Sequence, residues 1–193
     1  MNLPNKLTVL RICMIPLFVA MFYVTAIPYN YFWSAIIFVL ASATDFLDGH
    51  IARKYHLVTN LGKFLDPIAD KVLVSSALIV MLTVPAILPA VIGGICVAII
   101  LARELIVSGF RMVAASRGMV LAADKLGKLK TCFQDASIFV LLAGANLFGI
   151  GIKATEVINI VGLVLLGIAT LLTIVSGCSY IIRNRAVLKD AEN

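Results

Sequence analysis

The segment DFLDGHIARKYHLVTNLGKFLDPIAD sets four carboxylates, Asp45, Asp48, Asp66 and Asp70, at the facing ends of two apolar stretches. In a helix Asp45 and Asp48 are i,i+3 neighbours, and Gly49 and Ala52 extend the same stripe, so two carboxylates are followed by two residues with almost no side chain. Asp66 and Asp70 form an i,i+4 pair at the start of the next stretch, and the short connection makes the two helices antiparallel neighbours. All four carboxylates can then converge. Oxygen-only ligands suit Mg²⁺, Mn²⁺ or Ca²⁺ better than zinc, and carboxylates that can be shared suit two ions roughly 4 Å apart. Paired divalent ions point to phosphoryl chemistry. Simpler roles exist for some of these residues. Asp66 before Pro67 has the form of a helix cap followed by a first-turn proline, and one or two carboxylates could pair with Arg53, Lys63 or Lys71. Asp45, near the negative end of its helix dipole and where water is scarce, has no such role.

The elements that must position these groups are apolar throughout. Of 193 residues, 62% are hydrophobic and only 13% charged, and the mean hydropathy is +1.07, well outside the range of soluble domains. Six stretches are long enough to cross a bilayer as helices: Leu7 to Thr25, Tyr31 to Ala52, Pro67 to Val84, Ala86 to Val107, Leu129 to Phe148 and Val157 to Ile182. The reading is an all-α polytopic membrane protein with an amino-terminal interfacial arm, forming a single domain over residues 1–193. Lys and Arg cluster around Lys6 and Arg11, Arg53 to Lys63, Arg111 to Lys130 and Arg183 to Lys189, which puts both termini and all four aspartates on the cytoplasmic side. The net charge of +6 serves topology and contact with anionic lipid, so no nucleic-acid partner is expected. Lys6, an apolar run and Val24-Thr25-Ala26 imitate a signal peptide, but we read the segment as the first span. Cys13, Cys96, Cys132 and Cys178 lack metal-ligand spacing and are read as small packing residues.

Asp45-x-x-Asp48-Gly49-x-x-Ala52-Arg53, eight residues, then Gly62-x-x-x-Asp66-x-x-x-Asp70 resembles the full signature of the CDP-alcohol phosphatidyltransferase family. The resemblance implies a bacterial inner-membrane enzyme of six helices, a homodimer, in which an acceptor alcohol displaces CMP from a CDP-linked lipid such as CDP-diacylglycerol. It implies that Asp45, Asp48, Asp66 and Asp70 hold two Mg²⁺ or Mn²⁺ ions and that Asp70 is also the base. Gly49 and Ala52 would make room for the cytidine and its ribose, with Arg53 near the diphosphate and Gly62 in the same CDP-lipid site. Such a site at the inner interface leaves the lipid anchored while nucleotide and acceptor meet from the cytoplasm.

Three further stretches bear on substrate. In MNLPNKLTVLR, Asn5, Thr8 and Arg11 share one side of a helix and could reach phosphate and cytosine; the alternative is a snorkelling amphipathic lead-in. ARELIVSGFR and KLGKLKTCFQ supply Arg103, Glu104, Arg111, Lys125, Lys128, Lys130 and Gln134. Positive-inside charge accounts for several of these, and Glu104 beside Arg103 reads as a local ion pair at a helix end. The two stretches nevertheless resemble the family members whose acceptor is sn-glycerol 3-phosphate. A dianionic acceptor needs fixed cations, and Arg111 with Lys128 or Lys130 could supply them. Acceptors giving phosphatidylinositol phosphate, phosphatidylserine or cardiolipin remain open, as does a transporter, although no inverted repeat is visible and the acids lie away from the midplane. The last apolar stretch adds little specificity, and His50 and His56 are assigned no role.

Overall fold

A segment in lipid must satisfy its backbone N–H and C=O groups internally, and a chain this apolar does so with helices. The computed structural model describes residues 3–54, 60–116, 125–145 and 152–184. Its elements run α1 (Leu3–Tyr23), α2 (Asn30–Lys54), α3 (Asn60–Leu82), α4 (Ala90–Ser116), α5 (Lys125–Ala145) and α6 (Ile152–Arg183), with no strand among the described residues. The protein is all-α. Asn5–Tyr23 in α1, Ala90–Ala115 in α4 and Ala154–Arg183 in α6 are long and apolar enough to cross a membrane, and α2 carries a shorter apolar stretch, Asn30–Thr44.

Several helix ends differ from the sequence reading, and α4 alone runs nine residues past Val107, to Ser116. The amino-terminal stretch is not a separate arm, because α1 is helical from Leu3 straight into the apolar run. Helix α3 starts at Asn60, so Asp66 and Pro67 lie inside the helix and the alternative capping role of Asp66 is excluded. Helix α4 starts four residues later than expected, at Ala90. The Ile87 and Leu88 amides turn back to the Val84 carbonyl at 2.9 and 3.1 Å, and Pro89 supplies the first helical acceptor, to the Gly93 amide at 2.7 Å. Between α1 and α2, Tyr29 takes a left-handed conformation at φ 61°. Asn30 Nδ2 then donates to the Phe22 carbonyl at 2.7 Å, satisfying a group at the end of α1.

Helix α1 packs mainly on α2 and also on α3, α2 on α5, and α5 most extensively on α6. Phe18, Phe22, Phe38, Leu73, Leu78, Met81, Ile138 and Leu142 form the buried centre. Lipid offers no hydrophobic drive between helices, so close packing must hold them, and small residues permit it. Gly162 and Gly144 show this between α5 and α6. A Cβ on Gly162 would meet Leu141 side-chain atoms at 2.6 Å, and one on Gly144 would meet Ile158 Cγ2 at 2.5 Å. Ser137 Oγ adds a hydrogen bond to the Gly162 carbonyl at 2.8 Å. The cysteines are unpaired, as expected, but Cys13, Cys132 and Cys178 are exposed on the bundle surface and only Cys96 is half-buried. The packing role holds for none of those three, since the inward faces of their helices are occupied by other residues.

Candidate active site

Contacts of α3 with α4 and α5, and of α4 with α6, border a cavity of about 270 Å³. Helix α3 contributes Asp70, Lys71, Val74 and Ser75, and α4 contributes Ile100, Leu101, Arg103, Glu104 and Arg111. Helix α5 contributes Gly127, Lys128, Lys130, Thr131 and Gln134, and α6 contributes Tyr180. The stretch KLGKLKTCFQ reaches the cavity because 127, 130, 131 and 134 share one helical face. Asp70 thus shares a chamber with Arg111, Lys128 and Lys130, the three residues expected to meet an acceptor phosphate.

Charge in this chamber is strongly positive: Lys71, Arg103, Arg111, Lys128 and Lys130 face Asp70 and Glu104. The cations are held differently. Lys130 is 2% exposed and its ammonium lies 2.5 Å from Glu104 Oε1, so an ion pair holds it at the cavity wall. Glu104 also accepts from Arg103 Nη1 at 3.2 Å. The pair expected between Arg103 and Glu104 exists, but Glu104 lies well inside α4 rather than at its end. Arg103 Nη2 donates to Ser176 Oγ on α6 at 3.2 Å. Gly177 allows this approach, since a Cβ there would stand 2.9 Å from Arg103 Cγ. Lys71 Nζ donates to Ser108 Oγ, whose own proton goes to the Glu104 carbonyl at 2.5 Å. Arg111 is exposed and donates through Nε to Tyr180 Oη at 3.2 Å; Lys128 is also exposed. Arg103 Nε and Gln134 Oε1 are buried without a hydrogen-bond partner among the described residues.

Asn5, Thr8 and Arg11 are 6%, 1% and 0% exposed, so they are not a snorkelling lead-in. Arg11 Nε donates to the Ala41 carbonyl at 3.2 Å and to Thr44 Oγ1 at 3.3 Å, which fixes α1 to α2 beside the residue that precedes Asp45. These three do not belong to the described lining of the cavity. Asp45, Asp48, Gly49, Ala52 and Arg53 lie on α2, and Gly62 and Asp66 on α3, but their side chains fall outside the described residues. Among the described residues no group of three His, Cys, Asp or Glu could hold a metal. The helical backbone nonetheless keeps 45 with 48 and 66 with 70 at same-face spacing, on two helices that pack together. That all-oxygen donor set fits a hard divalent cation.

Sequence reasoning found α6 as a span but missed its part in the cavity. Ser176, Gly177 and Tyr180 serve the cavity from the last apolar stretch, where the available signal was the small and polar run SGCSY interrupting an otherwise aliphatic helix.

The chain matches a family model described as CDP-alcohol phosphatidyltransferase over residues 1–178. A Rickettsia bellii protein named CDP-diacylglycerol--glycerol-3-phosphate 3-phosphatidyltransferase is 42% identical over 181 residues, covering 93% of each chain. Proteins with the same name from Bacillus subtilis and Shigella flexneri are 40% identical over 200 residues and 34% identical over 199, covering 97% and 98% of each chain.

Proposed function

Because the chain belongs to the CDP-alcohol phosphatidyltransferase family, we propose that it transfers the phosphatidyl group of CDP-diacylglycerol to sn-glycerol 3-phosphate and releases CMP. The observation that carries the acceptor half is the cavity in which Asp70 shares walls with Arg103, Arg111 and Lys128. Its excess of cations suits a small dianion and gives an uncharged alcohol nothing to hold.

Arg111 and Lys128 bind the acceptor phosphate, the arginine through a planar fork and the lysine as a point charge. Lys130, neutralised by Glu104, shapes the wall and sets the local field. Asp70 takes the proton from the acceptor's primary hydroxyl, whose oxygen forms the new bond to the lipid-linked phosphorus. The bond from that phosphorus to the bridging oxygen breaks, and CMP leaves with the bridging oxygen. Asn5, Thr8 and Arg11, with Gly49, Ala52, Arg53 and Gly62, form the CDP-lipid side of the site. Asp45, Asp48, Asp66 and Asp70 would hold two Mg²⁺ or Mn²⁺ ions, which when bound polarise phosphoryl oxygens and stabilise the CMP leaving group.

This reading takes all six helices as spans of one domain, with both termini and the site at the cytoplasmic face of a bacterial inner membrane, in a homodimer. Asp70→Asn tests the chemistry, since it keeps the shape and removes the base. CDP-diacylglycerol should still bind to the variant while CMP release is lost; near-normal turnover would assign the base elsewhere.

A further inference from the structure

We propose that Tyr180 of α6 is a positioning residue for acceptor selection: it holds the Arg111 guanidinium so that its terminal fork meets the acceptor's phosphate. The proposal rests on Arg111 being a phosphate ligand.

Three contacts converge on the tyrosine ring. Arg111 Nε donates to Tyr180 Oη at 3.2 Å, and the guanidinium carbon lies 5.4 Å from the ring centroid. Phe110, adjacent to Arg111 on α4, meets the ring edge-on at 6.1 Å and 74°. Tyr180 is 2% exposed whereas Arg111 is exposed. A fixed ring therefore restrains a long side chain that would otherwise sample many rotamers, lowering the entropy lost when the phosphate binds.

The bonded edge matters as well. Engaging Nε leaves Nη1 and Nη2, the end of the guanidinium whose paired donors match two phosphate oxygens. The Tyr180 hydroxyl, having accepted from Arg111, retains its own proton as a donor at the cavity wall. A lysine at 111 would have neither an Nε edge nor a fork, so the tyrosine would have nothing to orient. The cost of losing the tyrosine hydroxyl should therefore depend on the identity of residue 111.

The test uses the full chain in lipid or detergent and compares Tyr180→Phe, Arg111→Lys and the double variant. Tyr180→Phe keeps the ring and should raise the apparent KM for glycerol 3-phosphate about three- to tenfold, with kcat and the KM for CDP-diacylglycerol within about twofold of the parent. In the Arg111→Lys background the same change should add less than about twofold. Independent multiplication of the two effects would overturn the proposal. So would an unchanged acceptor KM in Tyr180→Phe when Arg111→Lys raises it, or an equal rise for both substrates. If Arg111→Lys alone leaves the acceptor KM unchanged, the phosphate-ligand reading fails first and the positioning role falls with it. An isosteric check replaces Tyr180 by 3-fluorotyrosine: its ¹⁹F signal should shift with glycerol 3-phosphate and not with glycerol, and a signal indifferent to both would also overturn the proposal.

Discussion

Lys130 carries its charge where water hardly reaches, and Glu104 makes that position tolerable. Removing one member of a buried pair leaves the other charge unpaired, whereas replacing both by shape-matched neutral groups costs much less. Glu104→Gln should lower unfolding stability in detergent by roughly 2 kcal/mol, less than for a fully buried pair because Glu104 is 23% exposed. Adding Lys130→Met should recover at least half of that loss in thermal unfolding, and additive losses would contradict the pairing. Arg111 makes a different demand. Arg111→Lys preserves charge but loses the fork, so steady-state kinetics should show about a tenfold rise in the acceptor KM and little change for CDP-diacylglycerol. Equal weakening of both substrates would mean that Arg111 supports the fold rather than the acceptor.

Helices α5 and α6 supply two walls of the cavity, and their approach depends on residues without side chains. Gly162→Ala would press a Cβ against Leu141 at 2.6 Å and should destabilise the protein by about 1–3 kcal/mol. Leu141→Ala in the same chain should relieve part of this in thermal unfolding, because the clash is with that side chain; no relief would locate the strain elsewhere. Much of this architecture was legible in advance. Six apolar runs became six helices, and the charges bordering them, Asp70, Arg111, Lys128 and Lys130, meet at one cavity. Pattern failed where tertiary packing decides. The Lys130–Glu104 pair joins residues 26 positions apart, and Arg103 meets Ser176 across 73, so no local spacing announces either. Asp66-Pro67 has the form of a helix start, yet the backbone was already helical from Asn60. The roles of Asp45, Asp48 and Asp66 were read from spacing and from the family resemblance, and substitution is what can test them.

For the protein in its membrane, the proposed six spans with inward basic clusters would return the carboxyl terminus to the side on which the chain began. Single cysteines introduced at Thr25 and Lys153, in a chain lacking its native cysteines, should react with a membrane-impermeant maleimide on intact cells. One at Leu188 should react only after permeabilisation, and the reverse pattern would invert the topology. In the proposed reaction an acidic face that would hold metal stands beside a basic acceptor chamber, and the reaction demands both. The most direct measurement is CMP release by the purified full chain supplied with CDP-diacylglycerol, Mg²⁺ and separate acceptors. It should release CMP in equal amount with phosphatidylglycerol phosphate when given sn-glycerol 3-phosphate, not with serine, phosphatidylglycerol or inositol phosphate, and EDTA should stop it. Preference for another acceptor, or full turnover in EDTA, would contradict the account.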